Sequence, residues 1–301
     1  MNNYNEEPLV SVIIPTYNSA KFISGSVSSV TNQTYSNIEI LIIDDGSTDN
    51  TEAVVQALSG PIRYIKQINS GPSSARNRGI AQSKGKYIAF LDVDDEWEPS
   101  KIESQVIFFE NDKNLSIVAT GYVRCDAGLS PVETIVLAIP SKNRGVVPFR
   151  MLLEKNQLLT SSIMIKKQTL DECGFFDEKI YFGEDWDLWV RTAQLGGIGY
   201  IQTPLAKYRA HGGGLTGKLD DKNMQDWLAV IKKNKLRATN WYDKNIVYRK
   251  SLSWYLYNYA YIERVRGQRG ESKRKAIKSA IVWPFSIRTL RIAKGLLARS
   301  R

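Results

Sequence analysis

Short apolar runs alternate with amphipathic segments over the first hundred residues of the chain. The runs with the length and composition of buried parallel strands are Leu9–Pro15, Ile38–Ile43, Ile62–Gln67 and Tyr87–Leu91. Helices are predicted between them at Ser19–Thr31, Thr48–Leu58 and Ser73–Ser83, with Ser19 as a candidate N-cap. Strands and helices that alternate with short connections predict an α/β domain, in which a mostly parallel sheet carries helices on both faces.

The alternation is less regular after residue 98. Further strands are predicted at Ser116–Val123, Val132–Ile139 and Ser162–Lys166, and helices at Ser100–Glu110 and Asp185–Leu195. Residues Ile198–Tyr208 predict one or two short strands, divided at Pro204. Helices are then predicted at 221–238, 244–266 and 271–281. The glycine-rich stretch Gly212–Lys222 predicts a boundary between a body, residues 1–215, and a helical tail, residues 216–301.

Charge is divided unevenly between the two parts of the chain. The 301 residues have a net charge of +10, and residues 231–301 alone hold 19 Lys or Arg and three Asp or Glu. Residues 1–230 hold 22 basic and 28 acidic side chains, so the body is mildly acidic. A basic tail suits an anionic partner, which is either a nucleic acid or a negatively charged membrane surface.

The tail is also rich in aromatic side chains. They are Trp241, Tyr242, Trp254, Tyr255, Tyr257, Tyr259, Tyr261 and Trp283. Aromatic rings beside Lys and Arg are typical of segments that lie at a membrane interface. The alternative is a tail that packs on the body and keeps a solvated basic face, and the sequence leaves both interpretations open.

Composition argues against several classes of protein. With 43% hydrophobic and 24% charged residues, the chain has the composition of a folded globular protein. Cys125 and Cys173 are too few for a disulfide framework and lack zinc-site spacing. The acidic residues in the first ten positions do not fit a signal peptide, and no run of about 18 apolar residues predicts a spanning helix. We therefore expect a cytoplasmic protein.

Three polar clusters fall where predicted strands end. They are Pro15–Asn18, Asp44–Ser47 and Asp92–Asp95. Ligands of parallel α/β sheets bind beyond the carboxyl ends of the strands, so these clusters mark a candidate binding edge. The three carboxylates of Asp92–Asp95 repel one another unless a cation is present, and their oxygens suit Mg²⁺ or Mn²⁺. The alternative is that Asp94 or Asp95 only caps the following helix.

Five segments resemble the family 2 inverting glycosyltransferases, which have the GT-A fold. In order, they are VSVIIPTYN (10–18), IEILIIDDGSTD (38–49), NSGPSSARNRGI (69–80), YIAFLDVDD (87–95) and GEDWDLWVR (183–191). Each segment alone is a weak signal, but five in the family's order are specific. The resemblance covers residues 8–212. It implies a GT-A domain over residues 1–215, with a nucleotide-binding half at 8–98 and an acceptor half at 99–215.

The resemblance implies a pocket for a nucleotide sugar. Its candidate residues are Pro15, Thr16, Tyr17, Asn18, Asp44, Asp45, Arg76, Asp92 and Val93. A carboxylate at Asp44 can accept an N–H of the base, and Tyr17 offers a ring for stacking. Arg76 suits a diphosphate because guanidinium is a planar fork of donors, although a surface ion pair is the alternative. Gly71 and Gly79 would allow close backbone approach.

The same resemblance implies a divalent metal, Mn²⁺ or Mg²⁺, at the D-x-D motif. Asp94 would ligate the metal, Asp95 would support it, and Asp92 would face the ribose or sugar of the donor. His211, the only histidine, ends a Y-R-A-H segment that resembles one in related enzymes. There it would lie near the metal or the diphosphate, since neutral imidazole binds Mn²⁺. The alternative is a purely structural histidine.

The acceptor side is implied by the E-D pair in the fifth segment. An inverting transfer is a single displacement, which needs one carboxylate to remove the proton of the acceptor hydroxyl. We assign Asp185 as this base and Glu184 as a residue that orients the acceptor. The sequence leaves Asp187 open as the base, and all three acids also favour a helix N-terminus.

The expected activity is metal-dependent transfer of a sugar from a nucleoside-diphosphate sugar to a hydroxyl of a glycan or lipid-linked acceptor. A UDP-sugar is favoured as the donor, with GDP- or dTDP-sugars as alternatives. The chain lacks the Q-x-x-R-W motif of the family's processive synthases, so we expect addition of one or a few sugars in bacterial surface-polysaccharide assembly. We expect the tail to contact the inner face of an anionic membrane and expect no nucleic-acid partner.

Other classes of protein explain less of the sequence. A nucleotidyltransferase or a dinucleotide oxidoreductase would need a glycine-rich phosphate loop after the first strand, where Pro15–Asn18 stands instead. A nucleic-acid- or membrane-binding module on an inactive GT-A scaffold would explain the basic tail. It would not explain the carboxylates Asp94 and Asp185.

Overall fold

A computed structural model describes residues 7–139, 145–212 and 220–285. Its strands are β1 (Val10–Thr16), β2 (Ile38–Asp44), β3 (Ile62–Lys66), β4 (Tyr87–Phe90), β5 (Glu96–Trp97), β6 (Leu115–Cys125), β7 (Pro131–Ile135), β8 (Val146–Val147), β9 (Met164–Lys166) and β10 (Gly197–Arg209). Its α-helices are α1 (Ile23–Thr31), α2 (Thr51–Gln56), α3 (Pro72–Gln82), α4 (Lys101–Asn111), α5 (Phe149–Glu154), α6 (Lys167–Cys173), α7 (Glu184–Thr192), α8 (Asp221–Arg237), α9 (Tyr248–Val265) and α10 (Arg269–Val282).

The chain divides into two compact units. The first unit comprises 1–149, 157–179 and 188–214, and the second comprises 150–156, 180–187 and 215–301. The first unit holds the whole sheet, and the second holds the helices of the tail. The predicted boundary at residue 215 stays a prediction.

The parallel half of the sheet contains the strands predicted from the first hundred residues. The strand order there is β3-β2-β1-β4, and every neighbouring pair is parallel. Val12, Ile14, Ile40 and Ile42 are fully buried, as expected of strands covered on both faces. The register places Thr16 opposite Asp44, so β1 and β2 end side by side. The first two polar clusters therefore follow adjacent strand ends.

The other half of the sheet is mixed. β9 is antiparallel to both β4 and β6, whereas β6 and β10 are parallel. The two-residue strand β5, which sequence reasoning missed, follows the acidic segment and pairs antiparallel with β10. In this register Trp97 lies opposite Ala206 and Glu96 lies opposite Lys207. The end of β10 is thereby held beside the acidic segment at the end of β4.

Pro204 does not divide the last strand. β10 runs continuously from Gly197 to Arg209, and its register with β6 shifts on both sides of Pro204. Proline has no N–H to donate, and an irregularity in the ladder accommodates it. The sequence therefore predicts the location of this strand correctly and leaves open its continuity, which the structure resolves.

Two small residues act differently from expectation. The Ser19 side chain does not cap α1, because its hydroxyl donates to the carbonyl of Tyr17 at 2.9 Å, and α1 begins later, at Ile23. Gly79 faces β1, where an added Cβ would lie 2.5 Å from Cγ2 of Ile13. The close approach that Gly79 permits is therefore that of α3 to the sheet.

The second unit contains a helical hairpin, α9 and α10. Ser253 and Ser279, each 1% exposed, lie between the two helices, and their hydroxyls are 3.0 Å apart. Gly267, with φ of 81°, stands at the turn, where a left-handed backbone favours glycine. Within the described ranges, no helix has the length and apolar content needed to cross a bilayer.

Candidate functional site

The turn after β1 is fixed to the turn after β2. Asn18 has a left-handed backbone, with φ of 47°, which asparagine adopts more readily than most residues. Its side-chain oxygen accepts from the backbone N–H of Thr48 at 2.8 Å, and its own N–H donates to Oγ of Ser47 at 2.9 Å. Tyr17 beside it is 50% exposed. The predicted stacking ring is therefore accessible on a well-anchored turn.

Asp44 is fully buried at the end of β2. Its carboxylate accepts hydrogen bonds from the N–H of Ser47, at 2.7 Å, and from the hydroxyl of Tyr64. Burial and the Asp44 carboxylate raise the pKa of Tyr64, so this hydroxyl stays protonated and donates. A carboxylate has about four acceptor positions, which leaves capacity for a base N–H. Sequence reasoning did not identify Tyr64.

The hydroxyl of Thr16 is the unsatisfied group at this edge. Thr16 is 2% exposed, and its Oγ1 has no hydrogen-bond partner within the described part of the chain. Buried hydroxyls are normally hydrogen-bonded, so an orphaned one is a feature that needs an explanation. A bound ligand with a polar group would supply the missing partner.

Asp45 holds the segment that leads into α3. It is 4% exposed, and its two oxygens accept from Nε2 of Gln67 at 2.7 Å and from the N–H groups of Ser70 and Gly71 at 2.9 and 2.7 Å. Gly71 has φ of 91°, which favours glycine. Asp45 therefore acts on the protein's own loop, and its predicted contact with a nucleotide stays a prediction.

Arg76 forms an ion pair, as the alternative interpretation expected, but its guanidinium is buried and not at the surface. Its side chain is 6% exposed, and its Nη2 lies 2.8 Å from Oδ1 of Asp92, whose side chain is 32% exposed. The guanidinium also lies over the ring of Phe176, 5.4 Å from the ring centre. The N–H of Asp92 donates to Oγ of Ser161 at 3.1 Å. This pair places a guanidinium and a carboxylate at the end of β4.

Asp94 and His211 meet in the structure, although 117 positions separate them. Nε2 of His211 lies 2.7 Å from Oδ2 of Asp94, and the imidazole lies 5.1 Å from the ring of Phe22. Burial and the negative charge of Asp92 raise the pKa of Asp94, while the hydrogen bond from His211 opposes this. Val93, between the two aspartates, packs against the hydrophobic core.

Asp95 connects the acidic segment to β10. It is 1% exposed, and it accepts from Oγ of Ser161 at 2.5 Å and from the N–H of Arg209 at 3.0 Å. Arg209 in turn donates through Nε to the carbonyl of Asp94 at 2.8 Å and pairs with Glu96 at 3.2 Å. The alternative role as a helix cap is wrong for Asp95, because the N-cap of α4 is Ser100. Asp95 instead fixes the end of β10, two residues before His211.

The side chains of Asp94 and His211 suit a hard divalent cation that also binds a phosphate-bearing ligand. A carboxylate oxygen and an imidazole nitrogen in contact are suitable first ligands for Mn²⁺ or Mg²⁺. Over the residues that the structure describes, no group of three or more His, Cys, Asp or Glu side chains forms a complete metal cage. A cation here would therefore need oxygens from a phosphate-bearing ligand, as Mg²⁺ sites commonly do.

The second unit carries the predicted base. Asp185 lies at the start of α7, half-buried, where its Oδ2 accepts from Nδ2 of Asn156 at 2.9 Å and its Oδ1 from the N–H of Trp186 at 2.6 Å. Glu184, also half-buried, precedes it. The indole N–H of Trp186 donates to the carbonyl of Leu152 at 2.6 Å, which anchors this turn of the helix.

Asp187 differs sharply from its neighbour. It is 1% exposed, and its Oδ1 lies 2.8 Å from Nη1 of Arg237 and 3.8 Å from Nζ of Lys233, both on α8. A buried carboxylate paired with two cations holds helices together and has no access to an acceptor. Geometry thus favours Asp185 over Asp187 as the candidate base.

The structure therefore brings together most of the residues predicted for the donor side. The turns at Pro15–Asn18 and Asp44–Asp45 follow neighbouring strands, Arg76 pairs with Asp92, and Asp94 contacts His211. Sequence reasoning missed the supporting residues Tyr64, Ser161, Arg209 and Asn156. Only Arg209 lay in a recognisable motif, since the others stand in segments without distinctive spacing.

Comparison with known sequences gives consistent matches. The family model "Glycosyl transferase family 2" matches residues 11–168. An uncharacterized glycosyltransferase of Rickettsia felis is 35% identical over 223 residues, which is 72% of this chain and 36% of the relative. A chondroitin synthase of Pasteurella multocida is 30% identical over 246 residues, which is 79% of this chain and 24% of that relative. The chain spans only about a quarter to a third of the length of these two relatives.

Solved structures show the same fold at low identity. The TarS fragment 1–349 of S. aureus, in complex with UDP-GlcNAc, is 16% identical with a TM-score of 0.66, over 91% of this chain and 81% of that one. The mannosyltransferase PcManGT of Pyrobaculum calidifontis, in complex with GDP-Man and Mn²⁺, is 16% identical with a TM-score of 0.64, over 99% of this chain and 82% of that one. The predicted GT-A fold is thereby confirmed.

Proposed function

Because the chain belongs to glycosyl transferase family 2, we propose that it is a metal-dependent inverting glycosyltransferase. It would transfer a sugar from a nucleoside-diphosphate sugar to a hydroxyl of a glycan or lipid-linked acceptor. The observation that carries the proposal is the contact between Asp94 and His211 at the end of β4, beside the ion pair of Arg76 and Asp92.

The donor side supports a nucleoside diphosphate as the common part of the substrate. Tyr17 offers an exposed ring, Asp44 a buried carboxylate and Thr16 an unsatisfied hydroxyl, all at the ends of β1 and β2. Arg76 would assist the diphosphate, because a guanidinium is a planar donor for phosphate oxygens. Solved neighbours of this fold are complexes with UDP-GlcNAc and with GDP-Man, and we favour a UDP-sugar.

Mn²⁺ or Mg²⁺ would be held by Asp94 and His211. When bound, such a cation neutralises the charge that develops on the departing diphosphate. Asp95 and Arg209 would keep Asp94 and His211 in position, because both hold the acidic segment against β10. Asp92 would face the ribose or the sugar.

The proton of the acceptor hydroxyl would pass to Asp185. A general base in this position makes the hydroxyl a better nucleophile as it attacks the anomeric carbon. The hydrogen bond from Asn156 fixes the orientation of the Asp185 carboxylate. Glu184 would orient the acceptor, and Asp187, buried against Arg237, would have a structural role.

The biological setting follows the same proposal. We place the protein in bacterial surface-polysaccharide assembly, where it would add one or a few sugars. A lipid-linked acceptor would bring the protein to the cytoplasmic face of a membrane, and the basic second unit is suited to that location.

Calorimetric titration with UDP, GDP, dTDP and CMP, each with Mn²⁺ and with EDTA, tests the proposal. We expect one nucleoside diphosphate to bind in the presence of Mn²⁺ and to lose most of its affinity in EDTA. Absence of binding to any of them by folded protein would overturn the proposal and favour an inactive scaffold.

A further inference from the structure

The two faces of α10 differ in what they contact. One face packs on α9, where Ser279 is 1% exposed and the hydroxyl of Ser272 donates to the carbonyl of Ala260 at 2.7 Å. On the opposite face, Ile277 is 38% exposed and Ile281 is 69% exposed. Within the residues that the structure describes, these apolar side chains stand on an exposed helix face, and such side chains need an explanation when they stand together.

Basic side chains accompany these isoleucines. Lys273, Ile277 and Ile281 follow one another at a spacing of four, which places them along one side of the helix. Lys278 is also exposed, and Phe285, just beyond the helix, is 83% exposed. We refer to Lys273, Ile277, Lys278, Ile281 and Phe285 as the α10 outer face.

The lysines of this face carry charge that the described residues do not neutralise. Lys273 and Lys278 form no ion pair within residues 7–139, 145–212 and 220–285, whereas Arg274 and Lys275 both pair with Glu271. The sequence that follows Phe285, residues 286–301, contains five Lys or Arg and no Asp or Glu. The α10 outer face is therefore apolar at its centre and cationic around it.

We propose that the α10 outer face docks on the surface of an anionic lipid bilayer. Ile277, Ile281 and Phe285 would enter the boundary between headgroups and acyl chains, and Lys273 and Lys278 would contact anionic headgroups. The proposal deepens the proposed function, on which it rests for the expectation of a lipid-linked acceptor. It identifies the surface of the second unit that meets the membrane.

Charge and polarity favour a bilayer over other partners. A second copy of the chain, related by a twofold axis, would place Lys273 and Lys278 against the same positive surface. A nucleic acid would satisfy the lysines, but its phosphates would leave Ile277 and Ile281 without an apolar contact. A bilayer with anionic headgroups offers both negative charge and an apolar layer within reach of one helix face.

Vesicle sedimentation with the full chain tests the apolar part of the face. At about 0.15 M salt, we expect binding to vesicles of phosphatidylcholine and phosphatidylglycerol in equal amounts, and little binding to phosphatidylcholine alone. The double variant Ile277→Ser, Ile281→Ser should bind the anionic vesicles about tenfold more weakly. Its control is Ile107→Ser on α4, since Ile107 is 54% exposed, and this variant should bind like the wild type.

Charge reversal tests the cationic part. Lys273→Glu with Lys278→Glu should weaken binding to the anionic vesicles at least about tenfold, because each lysine near such a surface is worth about fivefold. The matched control is Lys84→Glu with Lys179→Glu, two exposed lysines of the first unit. Circular dichroism and nucleotide titration of every variant separate a loss of docking from a loss of folding or of donor binding.

Four results would overturn the docking proposal. One is equal vesicle binding by the wild type and both α10 variants, and another is equal loss in the α10 variants and their controls. The third is a dimeric wild type that becomes monomeric in the α10 variants. The fourth is single-stranded DNA that binds the wild type more tightly than vesicles do and binds the double variant Ile277→Ser, Ile281→Ser more weakly. None of these bears on whether a nucleoside diphosphate binds, so failure of docking and failure of the proposed function are distinguishable.

Discussion

Asp92–Asp95 follows a buried strand, whereas Glu184–Asp187 begins a helix, and the structure treats their charges differently. In the first segment, Asp95 is buried and Asp94 beside it is half-buried, and partial or full burial raises the pKa of both. In the second, Asp187 is buried against Arg237 and Lys233, while Asp185 stays half-buried and accepts hydrogen bonds from Asn156 and from the N–H of Trp186.

The difference supports a proposed cation site in the first segment and a proposed base in the second. Carboxylates concentrated at one strand end favour the binding of a cation, even though Arg76 pairs with one of them. Carboxylates spread along a helix can lie in different environments, because residues two positions apart face different directions. Asp185 and Asp187 are two apart: Asp187 is buried against α8, whereas Asp185 is half-buried, which suits it better to the proposed base.

The largest effect is expected at Asp94. Asp94→Asn should abolish Mn²⁺-dependent binding of the nucleoside diphosphate and reduce transfer by about 10³-fold or more, since metal stabilisation is worth several kcal/mol. Calorimetry with Mn²⁺ and with EDTA measures the first quantity. Asp171→Asn, an exposed carboxylate on α6, is the matched control and should behave like the wild type. Unchanged metal dependence in Asp94→Asn would assign the metal elsewhere.

The next effect is expected at Asp185. Asp185→Asn should retain donor binding but lose about 10²–10⁴-fold in kcat, because it removes the general base and preserves the side-chain shape. Single-turnover transfer assays on a glycan acceptor measure this loss. Asn156→Ala should give a smaller loss in kcat, since it removes only the group that orients the carboxylate. Turnover near the wild-type level in Asp185→Asn would contradict the assignment.

Asp187 provides the contrast with Asp185. Asp187→Asn should lower the free energy of unfolding by about 2 kcal/mol, because it weakens a buried hydrogen bond between charged groups. Turnover per folded molecule should stay at the wild-type level. Denaturant unfolding and active-site titration separate the two effects, and a loss of turnover without a loss of stability would move the base to Asp187.

The smallest effect concerns Lys101, a buried lysine that pairs with neither acidic segment. Its side chain is fully buried, Nζ lies 3.6 Å from the centre of the Trp97 ring, and within the described ranges no hydrogen-bond acceptor contacts it. Burial lowers the pKa of Lys101 well below its usual value. Lys101→Met should therefore raise the free energy of unfolding at pH 7 by about 1 kcal/mol.

The pH dependence gives the sign of this effect. The unfolded chain binds a proton at Lys101 that the folded protein lacks, so wild-type stability rises with pH from the lowered folded pKa up to about 10.5. Lys101→Met should lack this increment, so the stability of the variant relative to the wild type should fall as the pH rises toward that upper limit. A constant difference between pH 7 and that limit, in denaturant titrations, would contradict a neutral buried lysine.

Much of the fold can be predicted from the hydrophobic periodicity of the sequence, because strands that are neighbours in the parallel half of the sheet are also close in sequence. β1 to β4 lie within one or two residues of the predicted positions, and the polar clusters do follow their ends. The mixed half is less predictable, since β9 lies between β4 and β6 only through pairings that no local pattern encodes. The two-residue strand β5 is too short to have a recognisable period.

The candidate site also has residues that the sequence predicts and residues that it does not. Family-like motifs identify Asp94, Asp185 and His211, whose chemistry is distinctive. They do not identify Ser161 or Asn156, whose importance comes from the carboxylates that they contact, 66 and 29 positions away. A serine and an asparagine are common loop residues, so their function becomes visible only in three dimensions.

The return of β10 to the acidic segment affects how the protein folds. Arg76 and Asp92 are 16 positions apart, whereas Asp95 and Arg209 are separated by 114 and Asp94 and His211 by 117. Contacts between distant parts of a chain form slowly, because closing a long loop costs entropy before any contact compensates for it. We expect the Arg76–Asp92 pair to form early and the contact with His211 to form among the last. A ligand that binds only when both contacts have formed would indicate that folding is complete. By mass action, it would also stabilise the native protein as the ligand concentration rises.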